Sequence, residues 1–104
     1  MPNKIDKEIF TEIRAITKDK VQWNTAIDDV AAKLGEQYSA AVKAKALWLL
    51  GEMGLQYPLQ VQPYLEQIAG YLQNDNPKLR ERSVNALGRI GRANKDLILP
   101  YFDT

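Results

Sequence analysis

Cysteine and histidine are both absent from this 104-residue sequence. Without thiols the chain forms no disulfide and offers no thiolate nucleophile or cysteine zinc ligand. Without imidazole it has no histidine acid–base pair and no histidine metal ligand. Long apolar runs are missing as well. The charged opening from Met1 to Lys7 leads into no stretch long enough for a secretory leader or a membrane span. The expected address is cytoplasmic, with no membrane partner. The glycines lack the GKS or GKT ending of a phosphate cradle, and no strand pattern precedes them. Neither a cofactor nor a catalytic residue is expected, and enzyme activity is not. What remains is ordinary globular material, 45% hydrophobic and 26% charged. A chain of this length suits a single domain over residues 1–104, burying roughly 60–70% of its unfolded surface.

The formal charge of +1 hides an uneven distribution. Residues 1–40 and 41–75 are each close to neutral. Residues 76–104 hold Lys78, Arg80, Arg82, Arg89, Arg92 and Lys95 against Glu81, Asp96 and Asp103. Most such charge belongs to solvated helix faces. Lys78, Arg82 and Arg89 stand out as a candidate basic patch.

Gly51-Glu52-Met53-Gly54 and Gly88-Arg89-Ile90-Gly91 lie 37 residues apart, and their surroundings match at the same offset. Val42-Lys43 aligns with Leu79-Arg80, Leu50 with Leu87, and Pro63-Tyr64-Leu65 with Pro100-Tyr101-Phe102. Self-similarity at such a period marks stacked repeats. The tracts Asp75-Asn76-Pro77-Lys78-Leu79-Arg80 and Asn85-Ala86-Leu87-Gly88-Arg89-Ile90-Gly91 resemble the first helix of a HEAT repeat. The resemblance covers nearly the whole chain. It implies an all-α superhelix of about three antiparallel helix pairs, in units near 3–38, 39–75 and 76–104, the last pair incomplete. It implies little about activity, because one fold hosts many functions.

Local signals place the helices. Ile5, Ile9, Ile13 and Ile16 are spaced for a helix from about Asn3 to Lys18, with the turn at Asp19-Lys20. A second helix is expected to open near Asn24 or Thr25, through a Thr25-x-x-Asp28 capping box, and to run to Gly35. Ser39 caps the third, ending near Gly54. Pro58 and Pro63 are both expected in the first turn of a fourth helix, where amides lack intrahelical acceptors anyway. Asn76-Pro77 opens the fifth, and Lys95-Asp96 the sixth.

The repeat columns separate core from surface. Ile5/Val42/Leu79, Phe10/Leu47/Val84, Ile13/Leu50/Leu87 and Ile16/Met53/Ile90 are apolar throughout and are expected to be buried. Trp23 aligns with Val61 and Ile98 and belongs with them. The glycines are expected to permit close helix approach and left-handed caps. Unit one aligns more loosely, with Arg14 and Thr17 in the glycine columns, and reads as an amino-terminal cap.

A mostly polar stripe, Lys4/Ala41/Lys78, Glu8/Lys45/Arg82, Thr11/Trp48/Asn85 and Ala15/Glu52/Arg89, faces away from that core. Trp48 is its exception, and exposed aromatics are enriched at binding hot spots. The resemblance implies that second helices line the concave side, with Asp28/Glu66, Asp29/Gln67, Ala32/Gly70 and Lys33/Tyr71 pointing outward. Asp29, Lys33, Trp48, Glu66, Gln67 and Tyr71 are therefore the candidate partner-binding residues. A protein or peptide suits this acidic-to-neutral face better than nucleic acid, which needs many cations on one surface. A non-catalytic interaction or scaffold module is the leading expectation. The alternative is a nucleic-acid-binding or DNA-repair module resembling the HEAT-like repeats of alkylpurine glycosylases. A lyase-like assembly factor has only the repeat itself in its favour.

One expectation concerns the carboxyl-terminal end. The counterparts of Ile68 and Leu72 would fall past Thr104, which would leave Ile90, Ile98 and Phe102 without full cover. A fragment of a longer solenoid is expected, or self-association through residues 84–104.

Overall fold

The computed structural model describes residues 4–102, with side chains described from Asp6 to Tyr101. Helix α1 spans Lys4–Lys18, α2 Trp23–Ala32, α3 Ala40–Gln56, α4 Pro58–Val61, α5 Leu65–Ala69, α6 Pro77–Ala93 and α7 Lys95–Phe102. No strand occurs among the described residues. The helices stack as two layers in a flat slab of 41 × 34 × 16 Å. One layer holds α1, α3 and α6. The other holds α2, α4–α5 and α7.

The centre of the slab is the contact between α3 and α6. A Cβ on Gly51 would stand 2.8 Å from the Ala86 Cα, and one on Gly54 would strike the Ile90 side chain. The order of these contacts makes the two helices parallel. Leu47, Leu50, Met53, Ala86, Leu87 and Ile90 are fully buried along the seam. Each helix has one apolar face, and only a neighbour's matching face removes it from water.

Polar side chains tie the layers. Ser39 accepts from the Val42 amide at 3.2 Å, capping α3 as expected, and donates to the Asp6 carboxylate at 2.8 Å. Asn76 caps α6 through the Lys78 amide at 2.9 Å, ahead of Pro77. The fully buried Ser83 hydroxyl donates to the Ile68 carbonyl at 2.7 Å. Trp23 is buried, and its indole donates to the Ile16 carbonyl at 2.8 Å.

Several local expectations are corrected. Helix α2 begins at Trp23 after a 3₁₀ turn over Lys20–Gln22, and no side chain caps it. Thr25 bonds back to the Gln22 carbonyl at 2.9 Å instead of forming a capping box. The helix ends at Ala32 and a turn follows. Pro58 does open α4, but Pro63 does not share its first turn. A proline there has no amide for the helix and crowds the preceding turn, so the segment passes through a 3₁₀ turn over Gln62–Tyr64 before α5. No described glycine has positive φ, so none is a left-handed cap. Helices α3 and α6 are instead followed by the single cap residues Tyr57 and Asn94, directly before the next helix.

The core columns hold at Val42/Leu79, Ile13/Leu50/Leu87 and Met53/Ile90, whereas Ile16, the third member of the last column, is only half-buried. The Phe10/Leu47/Val84 column does not hold throughout. Leu47 is fully buried, Phe10 is half-buried and Val84 is 48% exposed, because among the described residues α3 alone has a first-layer neighbour on both sides. Ile90 is fully buried, contrary to the open-end expectation. Gly54 leaves room for it against α3, and α7 folds back so that Ile98 fills the space beside Gly91. Ile98 itself is half-buried. The side chains of Ile5 and Phe102 lie outside the described residues.

Candidate functional site

The residues singled out as partner-binding fall into different places. Asp29 is exposed on α2, Glu66 and Gln67 are exposed on α5, and Tyr71 is half-buried just beyond α5. Gln67, Gly70 and Tyr71 line a shallow cleft with Leu34, Glu36 and Lys43. The Tyr71 hydroxyl donates to the Leu34 carbonyl at 3.0 Å, and Tyr64 donates to Asp28. These bonds lace α2 to the α4–α5 segment. Burial raises the Tyr71 phenol above its ordinary pKa, and the charge of Glu36 adds to the rise. For Tyr64 the hydrogen bond to Asp28 comes first, followed by burial and the Asp28 charge.

Lys33 is not an outward residue. It is 6% exposed, and its ammonium pairs with Glu12 at 2.9 Å and donates to the Asp29 carbonyl at 3.3 Å. The helix rotates Lys33 toward α1 while Asp29, one turn earlier, stays in water. A long side chain can reach a partner across the helix pair, so polarity alone misjudged its direction.

Trp48 lies in the other layer, half-buried on α3. Together with Phe10, Arg14, Thr17, Lys18 and Lys45 it lines an open cleft of about 390 Å³ between α1 and α3. The Lys45 ammonium sits 4.8 Å from the centre of the Trp48 ring, a cation–π contact. A second cleft, of about 330 Å³, continues from Lys45 toward α6. Ala40, Ala41, Ala44, Asn76, Lys78 and Arg82 complete its lining.

Two of the three patch cations therefore meet. Lys78 and Arg82 share a cleft, whereas Arg89 pairs with Glu52 at 2.8 Å and lines a separate hollow beside Arg92. Arg14, Lys18 and Lys45 were not singled out from the sequence. Their grouping arises because α1 lies beside α3, and no single-helix pattern reports that. Phe10 carried no such signal, because its column reads as core on hydrophobicity alone.

Among the described residues, no group of three or more acidic or thiol side chains could hold a metal ion. No described helix is long and apolar enough to cross a membrane. No curated protein and no solved structure matches the chain. Residues 40–90 do match the family described as the HEAT-like repeat. That span begins at the first residue of α3, takes in the proline-broken α4–α5 segment and closes at Ile90, so it contains the whole glycine-mediated seam. Over these residues, just under half of its length, the chain carries the HEAT-like repeat.

Proposed function

We propose that the chain is a non-catalytic protein-interaction module that holds its partner on helix faces. The observation that carries this reading is Trp48, a large aromatic left half-buried at an open cleft beside Phe10. Aromatic side chains in such positions supply contact area at little entropic cost and are enriched at hot spots. Stacked repeats present extended surfaces of this kind. Asp29, Glu66, Gln67 and Tyr71 offer a second surface in the other layer, suited to a peptide or helix. Lys33 is left out of it because its charge is already paired.

A photoreactive side chain at position 48, and another at position 67, tests the reading in extract of the cells that make the protein. Discrete protein adducts from either position are expected. Crosslinks to nucleic acid alone, or none from either position, would refute it.

Nucleic-acid binding is the second reading, favoured by one observation: Lys45, Lys78 and Arg82 line one cleft. Each phosphate contact adds about one to the slope of log affinity against log salt. No retention of duplex DNA is expected at physiological salt. Tight binding there, lost in an Arg82→Ala and Lys45→Ala double variant, would put this reading first.

A further inference from the structure

The two clefts of the first-helix layer share Lys45, so they form one track across α1, α3 and α6. At one end Phe10 and Trp48 flank an apolar hollow. In the middle Ala40, Ala41 and Ala44 leave a smooth floor. The track carries Arg14 and Lys18 on one side, Lys45 at the junction, and Lys78 and Arg82 at the far end. None of these five cations forms an ion pair among the described residues, and no carboxylate lines either cleft. The chain as a whole is nearly neutral, so the unpaired charge is local. The Glu52–Arg89 pair, at 2.8 Å on the same stripe, shows how such cations are balanced where an acid is at hand.

We infer that this track binds an acidic, extended segment of a partner protein, anchored by one apolar side chain between Phe10 and Trp48. The inference rests on the interaction-module reading and adds the face and the partner chemistry. Packed helices lie about 8–10 Å apart, so the track from α1 to α6 spans roughly 16–20 Å. An extended chain covers that with about five or six residues at ~3.3 Å each. Carboxylates spaced along the segment would meet Lys45, Lys78 and Arg82 in turn, and each unpaired cation would gain a charge-assisted contact. The alanine floor lets a backbone approach closely. Single-stranded nucleic acid fits less well, since it needs open aromatic faces for stacking. Here the alanines offer none, and Lys45 already covers the Trp48 ring.

The test is selection from a displayed library of random peptides against the whole immobilised chain, followed by mapping of bound peptide through amide and indole NMR shifts. Enriched peptides are expected to be rich in Asp and Glu around one aromatic or aliphatic residue, and to shift the Trp48 indole. Trp48→Ala should weaken them about tenfold or more, as at other aromatic hot spots. Thermal melting will show whether that variant still folds. A Lys45→Glu and Lys78→Glu double variant reverses two of the three cations that the carboxylates meet, both on exposed side chains. It should lose about tenfold or more, given two opposed pairs in place of two attractive ones. Enrichment of basic or neutral peptides, or affinity unchanged in the charge-reversed variant, overturns the inference. So does displacement of the selected peptides by a short oligothymidine that itself binds the track. Peptides that instead shift Asp29, Glu66 and Gln67 overturn the choice of face while leaving the interaction-module reading intact. Failure of both crosslinks described above would remove that reading too.

Discussion

Gly51 and Gly88 occupy the same column of the repeat, yet replacing them with alanine should move stability in opposite directions. A Cβ at position 51 would lie 2.8 Å from the Ala86 Cα and 3.2 Å from its Cβ. The first obstacle is backbone, so relief requires α6 to move as a body, with Leu87 and Ile90 fully buried along it. Overpacking of this kind costs about 1–3 kcal/mol. The upper half of that range applies because no flexible side chain can yield. Against it stands the better helix propensity of alanine, about 0.8–1.0 kcal/mol. Gly51→Ala should therefore destabilise by about 1–2 kcal/mol. At position 88 no described atom lies within 4 Å of the added Cβ, so only the propensity gain remains. Gly88→Ala should stabilise by about 0.5–1 kcal/mol. For a domain of this size 1 kcal/mol moves Tm by about 4–8 °C, so melting followed by circular dichroism separates the two variants clearly. Urea titration should show the midpoints shifting with m unchanged. A Gly51→Ala protein as stable as the parent, or a destabilised Gly88→Ala protein, would show that α3 and α6 do not meet as described.

Tyr71 links stability to alkaline pH. Its folded pKa lies above the ordinary phenol value of about 10, so its contribution is complete below that pH and is lost as pH rises through the folded value. Tyr71→Phe should flatten the alkaline fall in urea midpoint and cost about 1 kcal/mol at neutral pH from the lost bond to the Leu34 carbonyl; identical pH slopes would count against this. Ser83→Ala should cost about 1–3 kcal/mol, because the Ile68 carbonyl would be left buried without its donor, and an unchanged denaturation midpoint would contradict that account. Self-association through the carboxyl-terminal end should depend on the exposed Leu99, so sedimentation at rising concentration should show it weakened by Leu99→Asp; a monomer at every concentration would end that reading.

The fold class and most helix starts were legible because their causes are local. Ser39 and Asn76 satisfy amides within their own first turns, and the periodic apolar faces of α3 and α6 lie within single helices. The capping box at Thr25 was misread because α2 already begins at Trp23, which puts Thr25 inside the first turn, where its hydroxyl bonds backward to Gln22. The proline-bearing segment was misread because one first turn cannot hold prolines five residues apart. The candidate site was legible only in part. Trp48 was visible as an aromatic in a polar column. Lys45 shared its stripe, but Arg14 and Lys18 were not visible as neighbours, since they come from α1 and only packing sets that helix beside α3.

The 37-residue period, the helical faces and the caps reside in neighbouring residues, so the order of the chain alone settles an all-helical repeat. Which exposed positions act together is a different matter. Gly51 abuts a backbone while Gly88 faces open space, although their columns are the same. Lys33 is buried against Glu12 while Asp29, one turn away, stays in water. Val84 is exposed where Leu47 is fully buried, because α6 has, among the described residues, a first-layer neighbour on one side where α3 has two. Each of these outcomes depends on what lies across the interface, and on whether anything lies there at all. A repeat copies its sequence from unit to unit, but the environment changes with position in the stack, and only packing assigns it.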